Sequence, residues 1–172
     1  MTEVFDQAHD PVKLATIASF WQRFLNSNDL PVLPQPEPWG FGNNPQMAND
    51  LAQLVVQGIK TATSSAVTDP INEPPVQVGD YDIVLDGQQQ PVAIIKTVVQ
   101  ETMPFNRVTA EHAYHEGEGD RTLANWRSAH EAFWRQELAQ EAIKFSDQLS
   151  VSCEVFELVV TPTDLGMNEN GN

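Results

Sequence analysis

The amino-acid sequence predicts an α+β domain, and three observations carry that expectation. Apolar residues recur at helical spacing in several stretches and at strand spacing in shorter ones. The two kinds are intermixed, without the strand–helix–strand regularity of a doubly wound sheet. The 172 residues suffice for one sizeable core and leave little room for a second.

Val12–Asn28 carries Leu14, Ile17, Ala18, Trp21 and Leu25 on one helical face, with Asp10 as cap and Pro11 in the first turn. Asp29–Pro38 holds four prolines and reads as an extended connector. A second helix runs from Pro45 to Gly58. Asn44 can cap it, Met47, Leu51, Leu54 and Val55 form its apolar face, and Gly58 can end it in a left-handed conformation. Thr61–Val67 reads as a strand, Asp69–Pro75 as a proline break, and Tyr81–Leu85 as a strand ending in a hairpin turn at Asp86-Gly87. Pro91–Gln100 is the apolar return strand and the expected centre of the sheet. Thr109 caps a short helix, Ala110–Glu116. Thr122–Ile143 is a long helix with Leu123, Trp126, His130, Phe133, Trp134 and Leu138 on one face, and Asp120 as its expected cap. Leu149–Val160 is the closing strand, and Thr161–Asn172 is expected to be loose.

Composition narrows the function classes. Net charge is −15, and the nine basic residues are scattered without two in a row, so extended nucleic-acid binding is not expected. A small site with local positive charge remains compatible. No apolar run approaches the roughly 20 residues of a membrane span. Met1–Asp6 lacks the basic and apolar stretches of a secretory signal, and the single cysteine cannot form an internal disulfide. A cytoplasmic location is therefore expected, and Cys153, in an apolar segment, is expected to be a buried, inert thiol.

The chemistry concentrates in two segments. Gly58-Ile59-Lys60-Thr61-Ala62-Thr63-Ser64-Ser65 sets one of only four lysines beside a row of hydroxyls. In a low-polarity pocket a lysine can give up its proton and serve as a base, and a hydroxyl in its reach becomes a candidate nucleophile. By itself Lys60 reads first as a solvated cation near a helix C-terminus, where the macrodipole favours positive charge. The second segment is Glu111-His112-Ala113-Tyr114-His115-Glu116-Gly117-Glu118-Gly119-Asp120. Counted from Glu116, calcium-loop positions six and twelve fall on Arg121 and Arg127, which excludes an EF-hand. His112-x-x-His115-Glu116 matches neither zinc-helix order, and Gly117-x-Gly119 lacks the lysine of a phosphate loop. No metal and no cofactor is expected. The two glycines let the chain turn sharply and present Glu116 inward, while Glu118 fits a solvated group or a partner of Arg121 or Arg127. Trp39 and Phe41, held between Pro38 and Gly42, could stack on a flat base or plug the core.

Taken in order, G-x-K-T-x-T, then E-H-A-x-x-E-G-E-G-D, then W-R-x-x-H resemble the ASCH family, the activating-signal-cointegrator homology domain. Supporting matches are Trp39-Gly40-Phe41-Gly42, Gly79-Asp80, Pro104-Phe105-Asn106-Arg107-Val108 and Cys153-Glu154-Val155-Phe156. The resemblance is to the longer bacterial branch. It assigns residues 1–37 to an N-terminal helix and connector, 38–160 to the domain and 161–172 to a tail. It implies a PUA-like, partly closed β-barrel with surrounding helices. It also implies a catalytic set of Lys60 as base, Thr63 as nucleophile and Glu116 as acid, with Trp39, Phe41, Gly58, Ser65, Glu118 and Arg127 as substrate-binding candidates. The implied activity is metal-independent hydrolysis of a nucleobase-containing substrate, with the amide of a small N-acylated cytosine nucleoside as the leading case. The alternatives are a ribonuclease using the same cleft and a non-catalytic RNA-binding or ligand-sensing module. The partner is accordingly a small nucleoside-like molecule or a short RNA. Removing Lys60 is expected to cost little stability if only its carbon stem is buried.

Overall fold

The computed structural model describes residues 10–167. Helix α1 spans Pro11–Ser27, strand β1 Trp39–Gly40, α2 Pro45–Val56, β2 Ala62–Ala66 and β3 Tyr81–Leu85. Strand β4 covers Pro91–Pro104, α3 Ala110–Glu116, α4 Leu123–Gln140 and β5 Ser150–Val160. The five strands form one sheet in the order β1-β3-β4-β5-β2, the curled sheet of an α+β, PUA-like fold. Strand β1 runs parallel to β3, whereas β3 with β4 and β2 with β5 are antiparallel.

The local rules explain the boundaries. The Asp10 side chain accepts from the Val12 amide and Asn44 from Met47, each followed by proline at the first helical position, where a missing N–H costs nothing. Thr109 caps α3 in the same way. Asp120 does not cap α4. Thr122 does, and Asp120 sits outside it, accepting from the Thr122 amide and hydroxyl at 2.9 and 2.7 Å. The turn after β3 is also longer than a two-residue hairpin. Asp86 accepts from the amides of Gln88 and Gln90, and the left-handed residue is Gln89. Gly87 is required for closeness instead: a Cβ there would lie 2.1 Å from the Pro45 carbonyl oxygen.

The described residues fall into two compact units. One contains residues 10–58, 81–96 and 157–167. Its core gathers Ile17, Phe20, Trp21, Phe24 and Leu25 of α1 with Ile83, Leu85, Ile94 and Val160. Leu165 and Met167 pack there too, so the first part of the expected loose tail is ordered, while residues 168–172 lie outside the described residues. Trp39, held between Pro38 and Gly42, pairs with Val84 as part of β1. The other unit contains residues 59–80 and 97–156 and packs Phe105, Val108, Trp126, Trp134, Leu138, Phe145 and Val151 together. No described helix is long and apolar enough to cross a membrane.

Candidate functional site

The chemistry-bearing residues meet within the unit of residues 59–80 and 97–156. Helix α3 ends at Glu116 because Gly117 turns left-handed, with φ 75°. A Cβ at Gly117 would stand 2.7 Å from the Ile59 carbonyl oxygen, so glycine lets the end of α3 approach the chain just before Lys60. The Thr61 amide donates to the His115 carbonyl at 2.8 Å, and the Phe156 amide donates to the Thr61 carbonyl at 2.9 Å, which fixes the entry to β2. The register of β2 on β5 places Ser64 opposite Cys153 and Thr63 opposite Glu154.

Lys60 and Glu116 are each 1% exposed. The Lys60 Nζ donates to Glu116 Oε2 at 3.4 Å, to the Glu116 carbonyl at 3.5 Å and to Glu118 Oε1 at 2.6 Å. Glu118, 30% exposed, forms the outer edge of this pair. Glu116 Oε1 accepts from the Trp126 indole N–H at 2.6 Å and from the Ser64 hydroxyl at 2.6 Å. His112 Nε2 lies 3.2 Å from the same oxygen and 2.8 Å from Ser64 Oγ, and His130 Nε2 lies 3.5 Å from Oε2. The Trp126 ring is held between Phe105, 5.4 Å away, and His130, 4.2 Å away and nearly parallel.

Electrostatics then fix the charge state of the carboxylate. Burial alone pushes the Glu116 carboxyl up, but the Lys60 charge and hydrogen bonds from His112 and His130 outweigh it. The group is held well below the ordinary carboxylate range. The carboxylate is thus set up to accept the hydrogen bonds around it. The Lys60 Nζ faces three oxygens, the Glu116 carboxylate and carbonyl and the Glu118 carboxylate, so the two charges of the pair meet in the interior.

Thr63 departs from expectation for a geometric reason. Side chains alternate along a strand, so Ser64, bonded to Glu116, leaves Thr63 and Ser65 on the opposite face of β2. Ser65 is exposed there. Glu118 pairs with Lys60 rather than with an arginine: Arg121 lies over the Tyr114 ring at 3.8 Å and donates to the Tyr114 carbonyl. Arg127 donates to the Asn106 carbonyl at 3.2 Å, and its buried Nε has no hydrogen-bond partner among the described residues.

Trp39, Phe41 and Gly58 belong to the other unit. The Trp39 indole donates to Asp82 Oδ1 at 3.0 Å, and Phe41, 4% exposed, packs edge-on against it at 4.6 Å. Gly58 ends α2 with φ 70° and meets nothing within 4 Å, which is a conformational need. Burial pushes the Cys153 thiol up to about 12, in keeping with an inert core residue. Among the described residues no three His, Cys, Asp or Glu side chains are grouped so as to hold a metal ion.

Ser64, His112, Trp126 and His130 were not in the expected set. A signal for them existed. His112 with Glu116, and Trp126 with His130, are each four apart on a helix and so share a face. Ser64 is in phase with buried Ala62 along the strand.

Comparison with known proteins agrees with this architecture. The family model of the ASCH domain matches residues 37–160. Protein EF3133 of Enterococcus faecalis V583 has a crystal structure similar to this chain at 40% identity and a TM-score of 0.81, over 88% of this chain and 92% of that one. The ASCH domain of Lactobacillus crispatus JV V101 is similar in fold at 23% identity and a TM-score of 0.71, over 90% and 98%. No curated protein matches the chain.

Proposed function

Because this chain belongs to the ASCH domain family, we propose that it is a hydrolase acting on a nucleobase-containing substrate. The reaction we assign is hydrolysis of the amide of a small N-acylated cytosine nucleoside. The observation that carries the proposal is the buried Lys60–Glu116 pair with a hydroxyl on the same carboxylate. Burying both charges is costly, and a hydrophobic pair of similar volume often serves stability as well. Perturbed ionisable groups of this kind concentrate where chemistry is done. The pair also supplies what amide hydrolysis needs, which is a place for the nucleophile's proton and a proton for the departing amine.

In this scheme Glu116, ionised at rest, accepts the proton of the attacking hydroxyl. The Lys60 ammonium first faces the negative charge that develops on the carbonyl oxygen, then protonates the amine as the C–N bond breaks. The proton on Glu116 passes back to Lys60, restoring the pair. A carboxylate held so low is a weak base at first, but its basicity returns as Lys60 gives up its charge. The net charge of −15 favours a small substrate over a long polyanion.

The test is a panel of N-acylated cytidines and short RNAs offered to the full chain and to Lys60→Met, with circular dichroism as the folding control. Turnover of an acylated cytidine by the wild type alone is the expected result. Cleavage of RNA by the wild type alone would replace it with the ribonuclease reading, and binding without turnover of either class would leave a ligand-binding module.

A further inference from the structure

We infer that Ser64 is the nucleophile of this site and that it carries the acyl group of the substrate as a covalent ester. The inference rests on the hydrolase reading above and names the residue that the reading leaves open. Three observations meet on the hydroxyl. Ser64 Oγ is 2.6 Å from Glu116 Oε1, and a carboxylate held ionised can only accept, so the hydroxyl proton points at the group that must take it. His112 Nε2 is 2.8 Å from Ser64 Oγ and 3.2 Å from Glu116 Oε1, so with its proton on Nε2 it braces both oxygens. Ser64 is half-buried, whereas Lys60 and Glu116 are each 1% exposed, so Ser64 is the most exposed residue of the trio. Thr63 is half-buried too, but on the other face of β2, away from the side that Ser64 turns to Glu116 and His112.

The step balances without any added group. Ser64 Oγ loses its proton to Glu116 and bonds to the amide carbonyl carbon. Lys60 protonates the nitrogen, the C–N bond breaks, and the amine leaves with acyl-Ser64 in place. Glu116 returns its proton to Lys60, 3.4 Å away. Water then attacks the ester, again losing its proton to Glu116. The ester bond breaks, and Ser64 recovers the proton as the carboxylic acid departs. His112 acts as a positioning residue in both halves.

A fluorophosphonate probe tests the nucleophile without any nucleoside. The hydroxyl attacks phosphorus, fluoride leaves, and the stable adduct is located by peptide mass spectrometry on the full chain. One adduct per chain on Ser64 is expected, absent in Ser64→Ala, unchanged in Thr63→Ala and formed about 100-fold more slowly in Glu116→Gln. Because the wild-type mapping needs no variant to fold, no adduct, or an adduct on Thr63, overturns the inference directly. Acyl-cytidine turnover that persists in Ser64→Ala also overturns it while leaving the hydrolase reading intact. Labelling of Ser64 in a protein that turns over no acyl-cytidine supports the nucleophile and removes the substrate instead.

Discussion

The indole N–H of Trp126 points at Glu116 Oε1 from 2.6 Å, so a residue that fills the core of its unit also orients the central carboxylate. Trp126→Phe keeps the aromatic stack on Phe105 and His130 but deletes the donor. Hydrogen bonds to charged groups contribute about 1.5–3 kcal/mol, and a loss of that size is expected in urea unfolding. In steady-state kinetics kcat should fall with KM little changed, because the indole touches the carboxylate and not the substrate.

Lys60 is buried to its ammonium, so the condition under which its removal would cost little, burial of the carbon stem alone, is not met. Lys60→Ala leaves Glu116 as an uncompensated buried charge, which costs about 3–5 kcal/mol. The double variant Lys60→Met, Glu116→Gln should recover much of that loss in thermal melts while remaining inactive. A double variant less stable than either single one would show that the pair is not coupled.

Lys60→Arg retains the charge but cannot give up its proton at ordinary pH. Turnover of acylated cytidine should therefore be absent even where the variant folds. Near-wild-type turnover would mean that Lys60 acts only as a positive charge.

Acid should act through Glu116. Its carboxyl is lower in the folded chain than the ordinary value of 4.5, so the unfolded chain binds the extra proton first. The stabilisation is complete above about that value and is lost as pH falls through it toward the folded one. Urea midpoints measured from pH 6 downward should decline in the wild type and decline less steeply in Glu116→Gln.

Gly117 is the turn on which the site depends. Gly117→Ala forces a left-handed φ on a residue with a side chain and drives its Cβ against the Ile59 carbonyl. A loss of at least about 2 kcal/mol is expected in denaturant melts. Activity should fall further than stability requires, because α3 and the segment carrying Lys60 separate.

The sequence made the starts of α1, α2 and α3 legible because each depends on neighbours, whereas Asp120 stood in for the true α4 cap, Thr122. Asp10-Pro11, Asn44-Pro45 and Thr109 announce their caps within three residues. The meeting of Lys60 with Glu116 was legible only through the order of two motifs, since nothing local links residues 56 apart. Thr63 entered through the family resemblance, whereas the pleat decides which hydroxyl faces the helix, and that is Ser64. Trp126 and His130 were read as filling, which they are. That their ring nitrogens also reach Glu116 depends on how α4 is rotated against α3, and hydrophobic period alone does not carry that angle.

Glu116 also has a place in the order of events by which the chain folds. Its partners come from β2, α3 and α4, and the links to Ser64 and Lys60 close loops of 52 and 56 residues. Such closures are entropically costly and tend to form late, after the local helices exist. Loosening this junction should therefore leave the refolding rate near its original value and raise the unfolding rate. The same carboxylate that we place at the centre of the reaction would then also govern how long the native state persists.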